Sequence, residues 1–590
     1  MLHSLTWAAL FLSVAAAPPL PPPRAPSHSA RQRGKPRGVV IFLVDDNGYA
    51  DLGAMGFEQP SDTPNLDALA ASGVRFTDFH ALPLCTPSRA QLLTGRLGPR
   101  TGLKGNFDVS SVAGLNTSEI LLPEFLARAG FFNGAVGSAF AGARGGGALW
   151  AHLLSPRPPS PPPPLTPPEW HLGHNEPYHP TFRGFDSYVG LPGSVDMGCI
   201  DPIPWFTPNT GADLPYILPC TPPPAGGAAA GARVGTIPQN ATHPLGLSLM
   251  NATRRCGRGV PGSAPHAPTL CSATIVQQPA DLTALSDAYN AEAARFLAAA
   301  GASGAPFFLY VAFSHTHAPL AYSKRWRNAS LHNTVFFDTM REVDHSVGLI
   351  VGALKAHGLY EDTLIFSLSD NGPPISQCGW EGHMGPFTGD FQQAINPGGS
   401  SGKGTTWEGG HRVWATASWP AAVPAGRVSA SLTSSLDIFP TIAGAFALPL
   451  PPDRVYDGVD LSPILFGGDP SARVREWLFI PDSVSLEPNV TALRWGNLSI
   501  YLQTNSQDGC RVNFPTPPVA YHTPPLAFDL AVDAAQARPL ALSAAQLAAV
   551  EAALAALVQS VASTFRTQID WATNRSAWPC CNPAKPDCRC

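Results

Sequence analysis

Two apolar runs in this chain end in oxygen donors. GVVIFLVDD (38–46) closes on Asp45 and Asp46, and TLIFSLSDN (363–371) closes on Asp370 and Asn371. Hard oxygen donors with no paired His or Cys select Ca2+ or Mg2+ over Zn2+. For Asp45 and Asp46 alone, a solvated strand end or a helix cap is an equally good account. The second acidic strand end, with the same apolar lead-in, weighs against it. Three carboxylates around one divalent ion leave little spare positive charge, so an anionic substrate needs further cations. Arg89 and Lys403, the latter in the Gly-rich GKGTTWEGGHR, are candidates, although a lone Arg or Lys is ordinarily a solvated surface charge. His171 in EWHLGH and His317 in SHTHAP add acid–base groups. A lone His is more often structural, but His317 follows a buried-type run. Cys85 lies in LCTPSRAQLLTGR, with Pro87 and Arg89 just behind it. A disulfide half, a metal ligand, a thiol nucleophile and a modified residue are all open for it.

The elements that position these residues can be read from periodicity. The continuous apolar runs 38–44, 307–313 and 363–369 suit buried parallel strands. Helical patterns with Gly stops separate them: NLDALAASG, ILLPEFLARAG, AYNAEAARFLAAAG and TVFFDTMREVDHSVGLIVGALKAHG. This alternation predicts an α/β, doubly wound, mostly parallel sheet flanked by helices, in which a ligand sits beyond the carboxyl ends of the strands. From about residue 446 the texture changes. DGVDLSPILFG looks like a joining loop. REWLFI, VTALRWGNLSIYLQT and PLAFDLA read as short antiparallel strands, and SAAQLAAVEAALAALVQSVASTF as a helix of about six turns. The expected division is a catalytic α/β unit over 38–445 and a smaller C-terminal α+β unit over 446–590.

Length and composition bound the rest. A chain of 590 residues is too long for one core. With 44% hydrophobic and 13% charged residues it is mostly globular, and a net charge of −5 gives no basic footprint for nucleic acid. The apolar run Leu5–Val14, followed by Ala15-Ala16-Ala17, reads as a signal peptide over 1–17, ahead of a Pro/Arg-rich leader over 18–37. No later stretch reads as long and apolar enough for a transmembrane helix. Seven N-x-S/T sequons (Asn116, Asn240, Asn251, Asn328, Asn489, Asn497, Asn574) agree with the secretory route. Eleven cysteines is an odd number for a secreted chain, and CCNPAKPDCRC reads as a stapled tail.

CTPSR followed by LLTGR resembles the sulfatase signature C-x-P-S-R with its trailing T-G-R. VDDNGYADLG, WHLG, RGFDSYVGLP, FFLYVAFSHTHAP, SDNGP, GKGTTWEGGHR and DGVDLSPIL resemble further sulfatase segments in family order, over about 38–590. GKGTTWEGG and the Cys-rich tail favour the arylsulfatase A branch. The resemblance implies an alkaline phosphatase-like fold and hydrolysis of sulfate esters. It implies that Cys85 is oxidised to Cα-formylglycine by a formylglycine-generating enzyme in the endoplasmic reticulum, which leaves ten cysteines. The aldehyde hydrates to a geminal diol; one hydroxyl attacks sulfur, and deprotonation of the other expels sulfate and restores the aldehyde. Asp45, Asp46, residue 85, Asp370 and Asn371 would hold one Ca2+. Arg89 would stabilise the diol and Lys403 bind sulfate. His171 would take the second hydroxyl's proton, and His317 would face the leaving oxygen. Ser194 in PGSVDMGC matches a sulfate-contacting serine. The implied destination is lysosomal or extracellular.

One departure stands out. Family members carry a Lys directly before WHLG. Here the chain reaches Ser138 and runs through 31 residues (139–169), many of them Pro and Gly, before Trp170. The insert reads as a translated intron or gene-model error, or else as a real insertion that weakens the site; its low complexity favours the first. The competing functions are a catalytically impaired binding protein, which rests on the missing Lys, and a phosphohydrolase of the same superfamily. C-x-P-S-R and the Asp/Asn set, in place of a Ser/Thr nucleophile and several His ligands, argue against the phosphohydrolase.

Overall fold

The computed structural model describes residues 34–57, 60–107, 111–137, 172, 177–191, 249–253, 272–277, 281–317, 320–375, 382–395, 399–481, 490–505 and 519–573. The signal segment, the leader up to residue 33, the 139–169 insert, His171, Ser194 and every cysteine except Cys85 lie outside them.

An eleven-stranded sheet organises residues 38–434. Its strands are β1 (Gly38–Val44), β2 (Val74–His80), β3 (Phe132–Gly137), β4 (Ser187–Gly190), β5 (Leu249–Thr253), β6 (Ser272–Gln277), β7 (Phe307–Phe313), β8 (Thr363–Ser369), β9 (Arg412–Ser418), β10 (Arg427–Ser429) and β11 (Thr433–Ser434). The order is β10-β2-β9-β8-β1-β7-β3-β4-β5-β6, with β11 also on β2. The centre, β8-β1-β7-β3-β4, is parallel, and antiparallel partners flank it. β1 is buried on both faces, and side-chain alternation divides it between two cores. Val39, Ile41 and Leu43 face one, with α2 (Cys85–Thr94), α3 (Leu122–Arg128) and α6 (Ile438–Ala445). Val40, Phe42 and Val44 face the other, with α1 (Pro64–Ala71), α4 (Leu285–Ser303) and α5 (Val335–Ala356). In α5 the buried series Phe336, Met340, Val343, Val347, Ile350, Leu354 follows helical spacing, and Thr334 caps the first turn through Phe337 N–H.

A second sheet is antiparallel, β12 (Trp477–Pro481), β13 (Val490–Trp495), β14 (Leu498–Thr504) and β15 (Ala520–Asp529), in that order. One face packs Leu493, Ile500 and Ala527 under Val550 of α7 (Ala544–Ser563). The other face turns toward the first sheet: Leu478, Ile480, Tyr501 and Phe528 enclose Trp407, which is fully buried. One expectation is corrected here. α7 is long and apolar enough to cross a membrane by length and composition. Its Ala- and Leu-rich composition makes it so, although Ser543 caps it and it packs on the antiparallel sheet.

Candidate active site

Strand register builds the site. Val44 pairs with Phe313 on one side and with Ser369 on the other. The three central strands therefore end level, and the next residues of each, Asp45-Asp46, Ser314 to His317 and Asp370-Asn371, emerge side by side. Asp370 N–H bonds Val44 O at 3.1 Å, and Asp46 N–H bonds Asp370 Oδ1 at 3.2 Å. Asp46 and Thr316 are two of only six non-glycine residues with positive φ among the described residues, at 56° and 72°. Thr316 is β-branched, so this conformation is costly, and its hydroxyl donates to Asp45 O.

Helix α2 brings the remaining chemistry. Its sequence CTPSRAQLLT is half polar, yet all ten residues are buried. Ser88 Oγ ties it to Leu82 O at 2.8 Å, Gln91 Nε2 bonds Ser434 Oγ and Ser435 Oγ, and Gly95 in the left-handed region ends it. Pro87 falls in the first turn, where no N–H is needed. Cys85 is thereby held with Sγ 3.4 Å from Asp45 Oδ1 and 4.0 Å from Asp46 Oδ1. Burial, then Asp45, pushes its thiol well above the ordinary range, so it rests protonated. One turn on, Arg89 Nη2 donates to Asp45 Oδ2 at 2.6 Å and to Asp370 Oδ2 at 2.8 Å, while Nε reaches Asp370 Oδ2 at 3.0 Å.

Lys403 pairs with Asp46 Oδ1, and His317 Nε2 lies 3.7 Å from Asp46 Oδ2. Burial opposes the charge on Lys403, but Asp46, with Asp45 and Asp370, outweighs it and holds it protonated. Lys403 and His317 are 14% and 10% exposed, whereas Asp45, Asp46 and Arg89 are 0%. The open side of the site is therefore lined by the lysine and the histidine.

The donors fit a hard divalent cation. Asp45 and Asp46 bring carboxylate oxygens within 4.8 Å of each other, with Cys85 and His317 within the same distance as softer neighbours that do not carry this fit. Asp46 Oδ2 and Asn371 Oδ1 are buried without a hydrogen-bond partner, while Asn371 Nδ2 is spent on Asp46 Oδ1 at 2.7 Å. Burial, then Asp45, pushes Asp370 up to about 7 against Arg89, as expected for carboxylates short of positive charge. Three carboxylates face Arg89 and Lys403, so a divalent ion would leave a net positive charge for an anion.

The sequence reading named Cys85, Arg89, Asp45, Asp46, His317, Asp370, Asn371 and Lys403, and the fold gathers all eight. It missed a buried network on the same loop as Lys403. His80, Glu408 and His411 cluster around Arg494, whose Nη1 lies 2.8 Å from His80 Nε2, 2.9 Å from Asp78 Oδ1 and 3.2 Å from Glu408 Oε2. The guanidinium supplies the positive charge there. His411 in GGHR was the one local signal.

The sulfatase family model matches residues 37–147 and 169–448, and the model of the C-terminal region of aryl-sulfatase matches 478–590. Human arylsulfatase G is 39% identical over 460 residues, 77% of this chain and 73% of the relative. Arylsulfatase G of Canis lupus familiaris is 36% identical over 571 residues, 95% and 92%. Human arylsulfatase A is 33% identical over 474 residues, 80% and 75%. Among solved structures, the PsFucS1 sulfatase from Pseudoalteromonas sp. superposes with a TM-score of 0.68 at 24% identity, covering 91% of this chain and 92% of that one, which speaks for the fold. The chain belongs to the sulfatase family, the enzymes that hydrolyse sulfate esters.

Proposed function

We propose that this sulfatase works through a formylglycine at position 85 with one Ca2+ held by Asp45, Asp46, Asp370 and Asn371. The observation that carries this is the placing of Cys85 Sγ among Asp45 and Asp46, with Arg89 and Lys403 on the same carboxylates. A hydrated formylglycine supplies a hydroxyl nucleophile on a carbon that can expel sulfate again, and the bound cation supplies Lewis acidity toward a sulfate oxygen. The chain's own residues do the rest. Arg89 ties Asp45 to Asp370 and places positive charge beside residue 85. Lys403, on the open side, neutralises the incoming sulfate ester. His317, beside Asp46 at the same opening, gives a proton to the leaving oxygen. His171 takes the proton of the second hydroxyl and Ser194 contacts sulfate; both roles are carried by the motif match. The substrate is a sulfated lipid, glycan or aryl sulfate, and the setting is the secretory pathway, lysosomal or extracellular.

The test is expression in a host that has the formylglycine-generating enzyme. The expected result is turnover of an aryl sulfate over an aryl phosphate, with a mass loss of about 18 Da at Cys85. Activity that survives Cys85→Ala unchanged refutes the mechanism.

A further inference from the structure

Lys403 occupies a tight turn. Thr405 N–H closes on Gly402 O at 3.1 Å, and between them Gly404 adopts φ +77°, which favours glycine. Turn geometry fixes where the Lys403 side chain leaves the backbone, so the groups that hold the turn place the ammonium. Two of them are in the catalytic region. Lys403 N–H bonds Pro373 O at 2.9 Å, two residues past Asn371, and Gly404 N–H bonds Pro83 O at 2.7 Å, two residues before Cys85. The third comes from the C-terminal part of the chain. Asn505, directly after β14 of the antiparallel sheet, donates from Nδ2 to Gly404 O at 2.9 Å and accepts Thr406 N–H on Oδ1 at 2.9 Å. One side-chain amide thus replaces a strand-like backbone pair across the boundary. Gln503 O accepts the Thr406 hydroxyl at 3.4 Å beside it.

We propose that Asn505 is a positioning residue for Lys403, so that the C-terminal sheet completes the sulfate-binding side of the site. The inference rests on the reading of Lys403 as a sulfate ligand. Asn505→Ala removes both bonds to the turn and leaves Lys403, Arg89 and the carboxylates in place. A contact that merely glued the two sheets together would lower stability without touching sulfate affinity.

The experiment measures binding of inorganic sulfate by calorimetry to the calcium-loaded full chain and its variants Lys403→Ala, Asn505→Ala and Ser499→Ala. Ser499→Ala removes a boundary bond to Glu408 Oε1 (2.9 Å) that does not reach the turn. The expected result is that Lys403→Ala weakens sulfate strongly, Asn505→Ala weakens it about tenfold, and Ser499→Ala leaves it unchanged. In turnover, Asn505→Ala raises KM more than it lowers kcat. Should Asn505→Ala fail to fold, Asn505→Asp, which keeps the acceptor for Thr406 N–H, carries the same measurement. Unchanged sulfate affinity in the Asn505 variant, or an equal loss in Ser499→Ala, overturns the inference while the reading of Lys403 stands. Unchanged affinity in Lys403→Ala overturns both.

Discussion

Among single side chains, Arg89 binds most of the site together. Its planar fork reaches two carboxylates on two strands, which a point charge on a flexible stem cannot do. Arg89→Lys is expected to lower kcat/KM by about 10–100-fold, read from steady-state kinetics on an aryl sulfate. Arg89→Met leaves Asp45 and Asp370 buried without their partner, and the expected loss of stability in thermal melts is about 3–5 kcal/mol. The orphaned Asp46 Oδ2 and Asn371 Oδ1 lead to a second expectation. Chelation lowers the melting temperature, and Ca2+ at about 100 times its dissociation constant restores about 2.7 kcal/mol by mass action. An unchanged melting curve in chelator speaks against a bound cation. These residues were legible in sequence because each acid follows an apolar run at a strand end. Asn505 was not, because its partners lie about a hundred positions away and nothing near it in the chain announces them.

The site depends on how segments meet. The level ends of β1, β7 and β8 could be foreseen from three apolar runs of equal length. The antiparallel β9 could not: RVWATAS is of the same length but mixed in polarity, and hidden behind a Gly-rich loop. That loop crosses the residues after Asn371 so closely that a Cβ on Gly372 would lie 1.9 Å from Gly409 O. Gly372→Ala must therefore move backbone beside Asn371. It is expected to reduce both melting temperature and kcat/KM. Gly426→Ala meets nothing within 4 Å and carries only the strain of φ +72°, about 1–2 kcal/mol. Its activity per folded molecule stays at the parent level, which steady-state rates normalised by melting curves will show. The segment between the two family matches, 148–168, belongs to no family element. Sequencing the expressed transcript is expected to find it absent, and recovery of its Pro-rich peptide from native protein overturns that.

Across the whole molecule, the two sheets are joined by charge as well as by Trp407. Asp78 and His80 come from β2, Glu408, His411 and Arg412 from the lysine loop and its strand, and Arg494 from β13. No pattern in the sequence connects positions so far apart. Burial, with His80 and Arg494 added, lowers His411 from 6.5 to about 3. Between those values the unfolded chain binds a proton that the folded chain does not, so stability falls as pH drops through that window. Burial opposes the charge of Glu408, but Arg494, His80, His411 and Arg412 hold it at about 2 against 4.5, which adds a loss in the same direction below pH 4.5. The melting temperature is expected to decline from pH 6.5 to 4.5, and His411→Gln to flatten that decline; an unaltered slope excludes His411 as a source. Cys85, finally, is 0% exposed at the head of a helix buried along its whole length. No other enzyme can close around that side chain once α2 is packed. The proposed conversion to formylglycine would therefore have to precede the packing of α2, and folding would set the deadline.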